Sequence, residues 1–176
     1  PFIVNVGQLS ENRILNEAFC QTAAHTALTL DNLNNFIWRN KKYNPVKVLQ
    51  IGPATGGMLV KLSHDGYGES HGIIHDRQIY LTTGGGNLRG SDTLRYTGAP
   101  GEIPKTCIVR FHLHPRIIAA TVSNGTVVLK LRSQKAGWIF KCNGANPVLE
   151  PSVYFEGKQR LSSQQVVLRM HAHDIR

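Results

Sequence analysis

Eight histidines in 176 residues are the side chains best placed to do chemistry in this chain, and their spacing sorts them into groups. His112 and His114 stand two apart in Thr106-Cys107-Ile108-Val109-Arg110-Phe111-His112-Leu113-His114-Pro115. On an extended strand residues two apart project to the same side, so both imidazoles share a face with the Arg110 guanidinium. Such a face suits a metal ion or a carboxylate ligand. Taken alone the pattern is unspecific, and packing with cross-strand hydrogen bonds is the favoured reading of the pair. His64, His71 and His75 surround a glycine-containing turn, His25 stands alone in a Thr/Ala-rich run, and His171 with His173 falls in a C-terminal tail expected to be solvated.

The other candidate groups read as structural. In His75-Asp76-Arg77, alternation separates Asp76 from its neighbours, and Asp92 is placed to pair with Arg77 if the strands around Gly84-Gly85-Gly86 form a hairpin. Trp138 and Phe140 share a face and are expected in the core. Cys20 reads as a small buried hydrophobe. Cys20, Cys107 and Cys142 are too few for a disulfide framework, and their odd number leaves at least one thiol free. No Gly-x-Ser-x-Gly elbow occurs, and the Gly84-Gly85-Gly86-Asn87 run lacks the Lys-Ser/Thr of a phosphate loop.

These residues must be positioned by strands. The Thr106–His114 stretch alternates Arg110, His112 and His114 with Val109, Phe111 and Leu113, the pattern of a half-buried strand. Asn124-Gly125 separates two β-prone runs, 117–123 and 126–132, a strong hairpin signal. Further strands are expected at 1–6, 24–30, 46–51, 57–64, 72–83, 87–96, 138–142, 148–154 and 163–170, with one or two helical turns within 11–19. Many short strands punctuated by Gly, Pro and Asn predict an all-β fold, an antiparallel multi-stranded β-sandwich with little helix. A chain of this length suits a single domain over 1–176, which buries roughly 70% of its unfolded surface.

The formal charge of +9 points to an anionic partner. The cations are dispersed, apart from Arg39, Lys41 and Lys42, and are not interleaved with surface aromatics, so nucleic acid is disfavoured. No run approaches the ~20 apolar residues of a membrane span, and no membrane partner is expected.

In order and spacing, Thr22-Ala23-Ala24-His25-Thr26, Leu62-Ser63-His64-Asp65-Gly66-Tyr67, Gly72-Ile73-Ile74-His75-Asp76-Arg77, Leu88-Arg89-Gly90-Ser91-Asp92-Thr93-Leu94, Phe111-His112-Leu113-His114-Pro115 and Gly137-Trp138-Ile139-Phe140 form a distinctive series. That series resembles the C-terminal β-sheet domain of bacterial heparinase II/III-like proteins, which are polysaccharide lyases. The resemblance implies a parent that cleaves uronic-acid-containing polysaccharide by β-elimination. The catalytic Tyr, Asn and His would belong to a preceding helical domain and to a strand just before Pro1. The opening Pro1-Phe2-Ile3-Val4-Asn5 reads as the middle of a strand, so the chain is expected to be a fragment, silent on its own, that pairs with that helical domain and an acidic polysaccharide. The alternative is a carbohydrate-binding or structural module of a degenerate family member.

The same resemblance places His25 near the catalytic cleft, and Arg110, His112 and His114, which share one strand face, join it as candidate substrate-binding or cleft-proximal residues. In some relatives the histidine matching His25 helps to hold zinc. Its partners there are an upstream His and an Asp where this chain has Asn5, a neutral and poor zinc ligand. No metal and no cofactor are therefore expected, and His25 is read as a buried, hydrogen-bonded residue at a domain interface. Cys20 stands where many relatives carry a basic residue, and a thiol holds a carboxylate less well than Arg does. The cysteines leave the compartment open, with the periplasm ahead of the cytoplasm.

Overall fold

The computed structural model describes residues 1–7, 12–35, 45–98, 101–123 and 125–171. Strand takes up 59% and helix 9% of the described residues, so the all-β expectation holds. In chain order the strands are β1 (Ile3–Val4), β2 (Leu28–Leu30), β3 (Lys47–Ala54), β4 (Gly57–Tyr67), β5 (Ile73–Thr82), β6 (Leu88–Tyr96), β7 (Thr106–Leu113), β8 (Ile117–Val122), β9 (Thr126–Leu131), β10 (Gly137–Phe140), β11 (Val148–Glu156) and β12 (Gln159–His171). Among the described residues there are also two short helices, α1 (Arg13–Phe19) and α2 (Gly68–His71), and a 3-10 turn at Thr22–Ala24. Arg39, Lys41, Lys42 and His173 lie outside the described residues.

The chain forms two compact units, one from 1–34 with 105–174, the other mainly from 35–104, which enters the first in sequence between Asn34 and Lys105. In the first unit, β7 and β11 flank β12 antiparallel, while β1 and β2 both line the free edge of β7. Strands β10, β9 and β8 form a second antiparallel sheet. Leu113, Val166, Ile117, Val127 and Leu129 are buried together between these sheets, with Phe111, Phe140 and Leu149 packed around them. The β8–β9 hairpin turns where Asn-Gly predicts it, with Gly125 at φ +63°. Asn124 is outside the described residues.

Helix α1 begins at Asn12, whose side-chain oxygen accepts from the Ile14 and Leu15 amides; such a cap contributes about 1 kcal/mol. Its Phe19 packs on Phe155 with ring centroids 4.9 Å apart. Gly7 meets β11 so closely that a Cβ there would sit 2.1 Å from the Phe155 carbonyl oxygen, and its φ of +114° excludes other residues independently.

Two expectations need correction. The strand expected over 24–30 is only β2, because Thr22–Ala24 winds into the 3-10 turn and His25 caps it. Strand β7 is buried on both faces, not one: Cys107 and Val109 face one side, while Ile108, at 7% exposure, and His112, at 4%, face the other. The strand sits inside its sheet, and the 22–25 segment reaches over its polar face, where the Ala23 carbonyl meets His112.

In the second unit β3, β4, β5 and β6 form a four-stranded antiparallel meander. Its strands lie close to the positions alternation predicts, but α2 does not follow from the sequence: a four-residue helix is too short to show a period. A β-bulge between His64 and Tyr67 shifts the register at the end of β4.

Candidate functional site

On the polar side of β7, His112 lies with Nε2 2.9 Å from the Ala23 carbonyl oxygen and Nδ1 3.0 Å from Ser152 Oγ. A carbonyl only accepts, so Nε2 carries the proton and Nδ1 accepts from the serine hydroxyl. Both ring nitrogens are therefore committed within the domain. Burial holds His112 below its ordinary pKa, the bond to Ala23 opposes that, and the charges of Arg110 and His25 add to it. His112 is a neutral, structural imidazole at neutral pH.

Arg110 shares this side. Its Nη1 donates to Thr29 Oγ1 at 3.1 Å, and the Thr29 hydroxyl in turn donates to the Ile108 carbonyl oxygen. Burial lowers the Arg110 pKa, Arg169 adds to the effect and Glu150 opposes it. Glu150 is itself bound to Arg169 at 2.6 Å. Among the described residues Arg110, half-buried, forms no ion pair with a carboxylate. A partly desolvated guanidinium without a carboxylate is a ready receptor for an external anion, since its fork of donors matches carboxylate and sulfate geometry.

The remaining predicted residues scatter. His25 is half-buried, not buried, at the end of the 3-10 turn. His114 falls just past β7, stacks at a tilt on Tyr154 with centroids 5.2 Å apart, and accepts the Arg116 amide at Nδ1. Asn5 accepts the Gly7 amide. A neutral amide already engaged by a backbone donor is a poor zinc ligand, so Asn5 does not fit a zinc site. Among the described residues no three His, Cys, Asp or Glu side chains converge as a metal site. Cys20 is exposed rather than buried, Cys107 is buried and Cys142 intermediate, and none of the three is in a disulfide. Cys20 follows the last turn of a seven-residue helix whose packed face carries Phe19, which leaves the thiol outward.

The second unit holds a polar chain that the sequence shows only in part. The Gly66 amide donates to His64 Nδ1 at 3.2 Å, which leaves the proton on His64 Nε2, 2.9 Å from His75 Nδ1. His75 in turn carries its proton on Nε2, 2.7 Å from Asp92 Oδ1. Arg77 forks onto the same carboxylate, Nε to Oδ1 at 2.6 Å and Nη2 to Oδ2 at 3.0 Å. Burial pushes Asp92 up, but the bonds from His75 and Arg77 outweigh it and hold the carboxyl at about 2. Burial and the adjacent His75 push His64 down to about 4. The Arg77–Asp92 pairing across the hairpin is the one predicted from alternation; the two-histidine extension rests on the β4–β5 register that sets His64 opposite His75.

Residues 1–175 match the family described as heparinase II/III-like, C-terminal. The chain belongs to that family. Among relatives, this heparinase II/III-like domain is 29% identical over 120 residues to FtsZ-localized protein C of Caulobacter vibrioides (strain NA1000 / CB15N), covering 65% of this chain and 21% of that protein. The heparinase III BT4657 gene product shares its fold, with TM-scores of 0.67 for the form with methylated lysines and 0.66 for the other. Each covers 97% of this chain and 25% of its own, at 14% identity. The chain thus spans about a quarter or less of the proteins it matches.

Proposed function

We propose that this chain is a non-catalytic C-terminal domain of a polysaccharide lyase, and that it contributes a cationic surface for an anionic, uronic-acid-containing polysaccharide. The observation that carries the reading is Arg110: a half-buried cation, positioned by Thr29, whose neighbouring carboxylate Glu150 is taken by Arg169. His112 cannot serve as an acid or base while Ala23 and Ser152 hold both its nitrogens, so the domain binds rather than transfers protons. His25 and His114 flank this surface in the proposal as contacts of lesser weight, and no zinc or other cofactor takes part. The acid and base would come from a helical domain of the same parent protein, and the domain makes no use of membrane or nucleic acid.

The experiment is paired. The chain is incubated with heparin, heparan sulfate, hyaluronan and alginate, and both binding and the ultraviolet absorbance of an unsaturated uronate product are followed. Binding without product is expected. Turnover would show that the chain holds its own acid and base, and absence of binding to all four would overturn the proposed surface.

A second reading is favoured by the name of the Caulobacter relative, which describes a protein localized with FtsZ rather than a lyase. In that reading the domain is a carbohydrate-binding or structural module of a degenerate member. Failure to bind any acidic polysaccharide, with the fold intact, supports it.

A further inference from the structure

The β7–β12–β11 sheet sets two arginines and one carboxylate on the same face. Val167 lies opposite Arg110 and Ile108 opposite Arg169, so the two arginines stand one diagonal step apart on adjacent strands, with Cα atoms about 8 Å from each other. On β11, Glu150 lies opposite Gln165, which lies opposite His112, and cross-strand partners share a face. Among the described residues, Arg169 and Glu150 are the charges that act on Arg110. Glu150 therefore has two cations near it and takes one: its Oε1 lies 2.6 Å from Arg169 Nη2.

That pair is loosely held. The Arg169 and Glu150 side chains are 50% and 28% exposed, against 17% and 23% for Arg77 and Asp92. An ion pair that water reaches is worth little and exchanges partners readily. It also has the form of a ligand contact, since a guanidinium binds a glutamate and a uronate carboxylate in the same way.

Room for a ligand adjoins it. Arg169 lines an open hollow of about 520 Å³ with Cys142, Gly144, Ala145, Asn146 and Val148. Val148 is opposite Val167, which is opposite Arg110, so the backbone at the hollow's edge lies about 10 Å from that of Arg110. Between Glu150 and His112 in the register, Gln165 keeps its Oε1 buried with no donor among the described residues. Such an acceptor is costly to leave unmet, and a saccharide hydroxyl is a donor.

We propose that Glu150 is a built-in competitor at this anion site: it occupies Arg169 in the unliganded domain and yields that arginine to a second anionic group of an acidic saccharide whose first is held by Arg110. The ligand class is a saccharide with anionic groups on neighbouring sugar rings. This rests on the reading of Arg110 as an anion receptor, and it gives Glu150 and Arg169 the part of setting affinity.

Calorimetric titration of the chain with a size-defined heparin oligosaccharide at low, fixed ionic strength tests it. Glu150→Gln, which removes the competing charge and keeps the side chain's shape, should tighten binding about fivefold with an unchanged circular dichroism spectrum. Glu17→Gln removes the same charge from α1, where Glu17 pairs with Arg13, and should change affinity less than about twofold because salt screens it. In an Arg169→Ala background Glu150→Gln should do no more than Glu17→Gln does. If Glu150→Gln binds no tighter than Glu17→Gln, or if its full gain survives Arg169→Ala, the proposal is overturned while Arg110→Ala still weakens binding. An Arg110→Ala variant that binds like wild type would overturn the reading of Arg110, and this proposal with it.

Discussion

His64 and His75 lie opposite each other on adjacent strands and share a single proton donor site, Nε2 of His64 to Nδ1 of His75 at 2.9 Å. The orientation of the whole chain from Gly66 to Asp92 is fixed by one backbone amide, because that amide can only donate. Burial, with the neighbouring His75 adding to it, makes His64 a poor proton acceptor, and its pKa of about 4 against the ordinary 6.5 has a consequence for stability.

Between pH 6.5 and 4 the unfolded chain takes up a proton at His64 that the native chain refuses, so stability falls as the pH falls across that window. Below it both states are protonated and this group contributes no further loss. His112, also held below its ordinary value by burial, acts in the same direction. Thermal melting from pH 7 to 4 should show the decline, and His64→Gln should flatten part of it. A variant with the wild-type slope would contradict the proton assignment.

Asp92 and Asp76 both pair with arginine, but the first pair is mostly shielded from water while the second has an exposed arginine. Asp92 and Arg77 have side chains 23% and 17% exposed, whereas Arg95, the partner of Asp76, is 54% exposed. Asp92→Asn removes the carboxylate that orients both His75 and Arg77, and should cost about 3 kcal/mol in denaturant unfolding. Asp76→Asn should shift the midpoint several-fold less, because exposed pairs are solvated and screened. Equal losses would mean that the network has no special role.

Asp31 lies where the chain leaves the first unit, and its carboxylate accepts the Lys105 amide at 3.0 Å and both the amide and hydroxyl of Thr106 where the chain returns. It does so with φ +47°, a left-handed conformation that aspartate tolerates better than most side chains. Asp31→Ala should therefore cost about 3 kcal/mol, from lost charge-assisted bonds and from strain. Asp31→Asn, which keeps an acceptor and the backbone preference, should cost about 1 kcal/mol by urea unfolding. An alanine variant as stable as wild type would exclude the clasp.

What the sequence shows of this fold is what alternation and turn chemistry encode. Strands β4 to β12 lie close to the stretches predicted, and Asn-Gly marks the β8–β9 turn, because those signals are local. The burial of both faces of β7 is not local: His112 is held by Ala23, 89 residues away, and by Ser152, 40 away. The short β2 and the half-exposed His25 escape prediction because a Thr/Ala-rich run is compatible with both strand and 3-10 turn. The Arg77–Asp92 pair is legible from a hairpin, since both residues flank one turn, while the link to His64 depends on the β4–β5 register before the bulge. Cys20 reads as buried by residue type and is exposed by its place after a short amphipathic helix.

The central claim is that Arg110 receives an anionic sugar, and the direct measurement is the salt at which the chain leaves immobilised heparin. Wild type should bind at low ionic strength and elute gradually, since each contact is screened over about 8 Å at physiological salt. Arg110→Ala should elute at clearly lower salt, Arg110→Lys in between, and Lys135→Ala, an exposed lysine outside the strands, close to wild type, with melting temperatures recorded for each. Equal losses for Arg110→Ala and Lys135→Ala would mean that only the net charge attracts heparin, and would contradict the claim.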